Sequence, residues 1–270
     1  MEQPAVNRHM LARSPSGGMT RRACFRIVNS DACRVIRRMR IAFISGTSIV
    51  NSPLFSAWEE RSVETKYGPV RYKAHGDWIL LNRHGFGVPL PPHAINYRAN
   101  LRAVADLGFG DVVSLNSVGS LKTSLPPGSL VSCSDYVALQ QGPATYFDEE
   151  LRGGAPGIAN NLLPLIVERA GGEFFIETGK VYVQMRGPRF ETKAEIRIIK
   201  DWGDVVGMTL AHETDLCTEL ELRYNSLAIV DNYANGLGGT EIDFAKFRDH
   251  VRGNQAKVNR LFARLLEIFR

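Results

Sequence analysis

The chain has 270 residues, 44% hydrophobic and 23% charged, and its +5 net charge is concentrated in one place: residues 1–40 hold nine arginines, no lysine and two acids, so the remaining 230 residues carry −2. That distribution excludes a nucleic-acid footprint on the globular part, and no apolar run approaches the ~20 residues that a membrane-crossing helix needs. Four scattered cysteines, Cys24, Cys33, Cys133 and Cys217, form no CxxC pair, which argues against a disulfide framework or structural zinc and for a reducing, cytoplasmic setting.

Residues 1–38 lack sustained periodicity. They read as a disordered or artefactual Arg-rich extension, with Met39 placed just before the first strand; a targeting peptide or a basic binding arm are the other readings of the same composition. Arg40 to Ile44 is a short buried-strand pattern running into Ser45-Gly46-Thr47-Ser48, a small polar turn able to offer N–H groups and hydroxyls to an oxyanion. Val70–Ala74 and Trp78–Asn82 flank His75-Gly76-Asp77 as a hairpin, and the second strand delivers Arg83-His84-Gly85. Arg is the natural fork for a phosphate, although an isolated Arg-His pair is as easily a surface Arg and a packed His.

The segment after Val88-Pro89-Leu90-Pro91-Pro92 has helical spacing, with Ile95, Ala99, Leu101, Val104, Ala105 and Leu107 on one stripe and Gly108 closing it. Asp111 to Leu115 reads as a strand ending in Asn116-Ser117-Val118-Gly119-Ser120. Ser129–Val137 is another strand, 140–160 a polar loop over a site or a subunit contact, 161–170 a helix and Lys180–Met185 a strand. Gly187-Pro188-Arg189-Phe190-Glu191-Thr192 turns into a helix over 193–202.

Gly203 to Gly236 organises the rest. An apolar run leads to Gly207-Met208-Thr209, then an acidic segment with helical character, then a strand from Ser226 to Val230 ending in Asp231-Asn232-Tyr233. Strand ends of this kind carry ligand sites in open α/β sheets. Met208-Thr209 and Asp231-Asn232 are therefore expected to face one ligand pocket. Residues 242–269 form a last helix with Phe247, Val251, Val258, Leu261, Phe262, Leu265 and Phe269 on its apolar face. Alternating strands and helices predict a single α/β domain over 39–270, a central mixed β-sheet flanked by helices.

The pieces ISGTS at 44–48, NRHG at 82–85, PPHAINYRAN at 91–100, NSVGSL at 116–121, GPRFET at 187–192, VGMT at 206–209 and DNYANG at 231–236 stand in order over about 190 residues. Together they resemble the trimeric purine nucleoside phosphorylase family, in its methylthioadenosine/methylthioinosine phosphorylase branch. The resemblance implies the nucleoside phosphorylase-like fold, a homotrimer with the site near a subunit boundary, and phosphorolysis with inorganic phosphate as co-substrate and no other cofactor or metal. It implies phosphate contacts from Thr47, Arg83, His84, Ser117 and Thr209. Asn116 and Met208 would lie at the sugar, Phe190 against the purine face, and Ile242 near the 5′ substituent.

Chemistry bears on the leaving purine. A side chain at Asn232 donates to N7 and to a 6-oxo group without needing a proton of its own, and Glu191 can accept from N1–H. This pair favours 6-oxopurines, 5′-methylthioinosine above all, with methylthioadenosine phosphorolysis, nucleosidase hydrolysis and a catalytically weak nucleoside-binding protein as alternatives. Asp231, one residue upstream on a strand, points to the other face and reads as a structural cap. His212, Arg186, Val88 and the 140–160 loop depart from the family pattern and bear on the sugar and 5′ contacts, not on the phosphate set.

Overall fold

Aliphatic and β-branched runs build the sheet. The computed structural model describes residues 39–270 apart from 47, 48, 50, 51, 140–143, 151–153 and 240, so the Arg-rich extension and Thr47 lie outside the described residues. Ile41–Ser45 (β1) and Trp78–Asn82 (β4) are buried at every position, as strands covered on both faces must be. Glu59–Thr65 (β2) and Gly68–His75 (β3) are more exposed and form the outer antiparallel ribbon, β3 turning into β4 through Gly76 at φ 56°. Asp111–Ser120 (β5), Leu130–Val137 (β6), Ile176–Gln184 (β7), Val205–Gly207 (β8) and Arg223–Tyr233 (β9) complete nine strands among the described residues.

The order is β2-β3-β4-β1-β5-β8-β7-β6-β9, and β9 returns to pair with β5. Strands β5, β8, β7, β6 and β9 thus close on themselves, which removes their exposed edges. Pairing is mixed: β4–β1, β1–β5, β5–β9, β6–β7 and β7–β8 are parallel, while β5–β8 and β6–β9 are antiparallel. The expected mixed sheet flanked by helices is the observed one.

Helices cover both faces. Tyr97–Asp106 (α1), capped by the Asn96 side chain accepting from Ala99 N–H at 3.0 Å, and Leu210–Glu219 (α4) pack Leu101, Val104, Leu210 and Leu216 onto one side. Leu163–Ala170 (α2) and Phe244–Ile268 (α5) pack Ile166, Val258, Leu261, Phe262 and Leu265 onto the other. Lys193–Ile199 (α3) opens with a Thr192/Glu195 capping box and covers β7 and β8 with Ile196 and Ile199. Such reciprocal bonds satisfy two of the donors that a helix start leaves open.

Three strands run further than their apolar cores predict. β5 continues through Asn116-Ser117-Val118-Gly119-Ser120, β7 begins at Ile176, and β9 continues through Asp231, Asn232 and Tyr233. The polar residues are not turns but strand residues, so neighbours alternate between the two faces. The last helix starts at Phe244 behind the Asp243 cap, leaving Ile242 outside it.

Candidate active site

The C-terminal ends of β1, β4, β5 and β9, with β8 and the starts of α4 and α5, surround a cavity of about 450 Å³. Arg83, which follows β4, is 3% exposed and its guanidinium is nearly used up by the fold. Nε donates to Glu213 Oε1 at 2.6 Å, Nη2 to Ser114 Oγ at 2.6 Å and Glu213 Oε2 at 3.2 Å, and Nη1 to the Leu115 carbonyl at 2.9 Å. One N–H on Nη1 has no further partner among the described residues. It lies by Gly46, where a Cβ would stand 3.3 Å from Nη1 and 3.4 Å from His84 Nε2. Glycine there leaves both groups open to the cavity.

Glu213 holds the charge in place. It is 1% exposed and also accepts from Ser114 Oγ at 2.9 Å and Tyr224 Oη at 2.7 Å. Burial works against the charge of Arg83, but the Glu213 carboxylate outweighs it and raises the guanidinium pKa. A buried pair of this kind is costly to break from one side, because the other charge is left unpaired. Asn116 extends the network, donating from Nδ2 to Thr209 Oγ1 at 2.9 Å. Because Thr209 Oγ1 accepts there, its own proton is left to donate, and the Tyr182 hydroxyl beside it is an acceptor that a ligand would have to replace. The Thr209 N–H donates to Tyr182 Oη at 3.1 Å, an approach possible only because residue 207 is glycine: a Cβ at Gly207 would overlap that oxygen.

His84 donates from Nδ1 to the Leu90 carbonyl at 2.7 Å, and Leu90 N–H donates back to the His84 carbonyl at 2.9 Å. With Nδ1 protonated in this way, neutral His84 presents Nε2 as an acceptor. Burial holds its pKa below the usual histidine value. The exchange also fixes the Pro89-Leu90-Pro91-Pro92 wall of the cavity.

Phe190, Glu191, Val206, Met208, Asn232 and Ala234 line the same cavity. Phe190 packs edge-on to Phe247 at 5.3 Å, and Phe244 lies 6.1 Å from Phe247. Glu191 is 5% exposed, and burial raises its carboxyl pKa. Met208 sits over Gly187, which has φ 66° and whose Cβ would meet the sulfur at 2.5 Å. Asn232 lies over Gly119, where a Cβ would come within 3.3 Å of its amide nitrogen; that nitrogen donates to the Tyr233 carbonyl at 2.7 Å.

The structure therefore gathers Arg83, His84, Asn116, Met208, Thr209, Phe190, Glu191 and Asn232 around one space. Two expected residues sit differently. Ser117 reaches the cavity wall, but its hydroxyl donates to Asp231. A hydroxyl has one proton, and in this arrangement Ser117 gives it to Asp231 rather than to the cavity. Ile242 is not among the lining residues; its N–H caps the Asn235 side chain at 3.4 Å, and Phe244 and Phe247 form that part of the wall. Sequence reasoning passed over Glu213, Ser114 and Tyr224, whose only signal is that a buried Arg83 requires an acid. It read Phe247 only as a core residue of the last helix. His212 packs on the Tyr97 ring at 4.7 Å.

Residues 40–267 match the phosphorylase superfamily. The chain belongs to that superfamily. It is 36% identical over 227 residues to the probable S-methyl-5′-thioinosine phosphorylase of Methanocaldococcus jannaschii, covering 81% of this chain and 88% of that protein. It is likewise 36% identical over 223 residues to the 6-oxopurine nucleoside phosphorylase of Pyrococcus furiosus, covering 75% and 83%. Among solved structures, a variant of the adenosine/methylthioadenosine phosphorylase of Schistosoma mansoni bound to adenine superposes with a TM-score of 0.73 at 25% identity, covering 86% of this chain and 91% of that one. The superfamily and the branch expected from the seven sequence pieces are those found. Among the described residues there is no helix long and apolar enough to cross a membrane.

Proposed function

We propose that this protein catalyses phosphorolysis of a purine nucleoside, 5′-methylthioinosine or another 6-oxopurine nucleoside, to free purine and sugar 1-phosphate. One observation carries the reading: a single cavity is lined both by Arg83, His84 and Thr209 and by Phe190, Glu191 and the neutral amide of Asn232. In the reaction a phosphate oxygen bonds to C1′ as the bond from C1′ to the purine nitrogen breaks; the electron pair leaves with the base, which takes up one proton from solvent as the new phosphate ester gives one up. Arg83 Nη1 and the Thr209 hydroxyl fix the anion. His84 Nε2 accepts from its protonated oxygen. Positioning and preorganised charge of this sort are the main levers for such a step. Met208 offers an apolar, polarizable surface beneath the sugar. The Asn232 Nδ2 N–H that the Tyr233 carbonyl leaves free donates toward N7 or a 6-oxo group, and ionised Glu191 accepts from N1–H. Thr47, outside the described residues, is assigned to the same anion from the resemblance alone.

The apolar walls favour a 5′-methylthio group. Phe244, Phe247, Leu90 and the neighbouring prolines have no partner for a 5′-hydroxyl, whereas each buried methylene-sized group gains ~0.8 kcal/mol and a sulfur–aromatic contact ~0.3–1.5 kcal/mol. The raised pKa of Glu191 supports a second reading, methylthioadenosine phosphorolysis, because a protonated carboxyl donates to the bare N1 of a 6-aminopurine.

The protein is assigned as a homotrimer in the cytoplasm, with phosphate as its co-substrate. Val88, Leu139, Phe175 and Phe244 are large, apolar and exposed on the isolated chain, as subunit contacts require. Cys133 and Cys217 are free thiols, suited to a reducing compartment. The test is purine release from 5′-methylthioinosine, 5′-methylthioadenosine, inosine and guanosine, each with and without phosphate. Methylthioinosine with phosphate is expected to give the highest kcat/KM. Faster release from methylthioadenosine would select the second reading, and binding without turnover would leave a nucleoside-binding protein.

A further inference from the structure

Asp231 is a fully buried carboxylate that the reaction does not touch. It is the extra residue where the β5–β9 register slips: Val118 pairs with Val230 and Gly119 with Asn232, so Asp231 has no partner across the ladder. Irregularities of this kind occur beside active sites and re-aim the side chain that follows. Here the side chain that follows is Asn232, lying over Gly119 in the cavity wall.

Both oxygens of Asp231 are engaged. Ser117 Oγ of β5 donates to Oδ2, and Asn254 Nδ2 of α5 donates to Oδ1 at 2.7 Å and to the Val230 carbonyl at 3.3 Å. One carboxylate thus joins β5, β9 and α5, and each of these elements lines the cavity, through Ser117, Asn232 and the Phe244–Phe247 pair. Burial pushes the Asp231 pKa up, while the bonds from Ser117 and Asn254 pull it back. The Arg83, Glu213, Ser114, Tyr224, Asn116 and Thr209 network shares no residue with this one.

We infer that Asp231 is a positioning residue for the base end of the site: it holds the β5–β9 bulge in the form that aims Asn232 at the leaving purine and anchors the aromatic start of α5 to the same point. The inference rests on the purine-phosphorolysis reading. It gives Ser117 a different part from the phosphate contact expected of it, because its hydroxyl serves Asp231.

The test is steady-state kinetics of Asp231→Asn and Ser117→Ala with nucleoside and phosphate varied separately, alongside thermal melting. Loss of a charge-assisted bond that orients a reacting group is expected to lower kcat/KM for the nucleoside roughly tenfold or more and to leave the phosphate KM within about twofold. Thr209 and Arg83 are untouched in both variants. A phosphate KM that rises in step would return Ser117 to the anion and overturn the inference. A lower melting temperature with unmoved kinetics would make Asp231 structural only, which also overturns it. Ser117→Ala removes one hydroxyl and decides the matter alone if Asp231→Asn does not fold. Wild-type protein without phosphate-dependent purine release defeats the parent reading before any variant is compared; active wild type with unmoved variants defeats this inference only.

Discussion

A single acid decides what Arg83 can do. Glu213 accepts two of the five guanidinium N–H groups and shares Ser114 with a third, so the residue is a fixed charge with one hand free. Replacing Glu213 with Gln leaves the guanidinium buried and unpaired, a change of the kind that costs ~3–5 kcal/mol. Chemical denaturation of Glu213→Gln should show that loss, and added phosphate should restore more stability to the variant than it adds to the wild type, because the anion replaces the missing charge. Equal phosphate stabilisation in both proteins would place the anion away from Arg83. Asn232→Asp makes the opposite kind of test. A carboxylate repels the lone pairs of a 6-oxopurine and suits a 6-amino donor, so the ratio of kcat/KM for methylthioadenosine over methylthioinosine should rise by roughly tenfold or more; an unchanged ratio would remove Asn232 from base recognition. Histidine titration gives a third check. Burial lowers the pKa of both His84 and His212 below 6.5. Below that value the unfolded chain binds protons that the fold refuses, so stability rises as pH climbs toward 6.5 and these residues add nothing further above it. Melting temperature against pH should show that rise, flattened in His212→Gln.

At the level of elements, the site is made by strand ends, and the strand ends are where sequence and structure part. The cores of β1, β4, β5 and β9 were legible because Ile, Val, Leu and Phe run together, as strands buried on both faces require. Their extensions were not. Asn116-Ser117 and Asp231-Asn232 carry turn-forming residues, yet the ladder continues through them because neighbouring backbone supplies the partners. Asn116, Ser117 and Asn232 all reach the cavity wall, while the Ser117 hydroxyl and Asp231 join each other and α5. β2 was missed because EERSVET is a polar, mostly exposed edge with no apolar pattern. Phe244 and Phe247 could not be placed from periodicity, since an apolar helix face looks the same against a core or a cavity. The β8–α4 turn depends on a missing side chain. Gly207→Ala would force the Tyr182 hydroxyl off the Thr209 N–H, and overpacking of this kind costs ~1–3 kcal/mol. Thermal melting and the phosphate KM should both worsen; a variant with unchanged phosphate KM would show that Thr209 does not depend on that contact.

For the whole molecule, the closed run of strands and the helices on both faces turn dispersed short motifs into one cavity. Each motif is weak alone, and sequence could not show that they converge, because the strand order β4-β1-β5-β8-β7-β6-β9 brings together segments far apart in the chain. The exposed apolar residues place a further demand on assembly. Light scattering should give three times the 30.0 kDa chain mass; a stable, fully active monomer would count against a site completed at a subunit boundary. On this reading phosphate, not water, takes the sugar. ³¹P NMR of the enzyme with 5′-methylthioinosine and inorganic phosphate follows that transfer directly. The inorganic phosphate signal should fall as a sugar 1-phosphate signal grows, one for each purine released, and no purine should appear when phosphate is left out. Purine released at an unchanged rate without phosphate, with no phosphate ester formed, would make the enzyme a hydrolase instead.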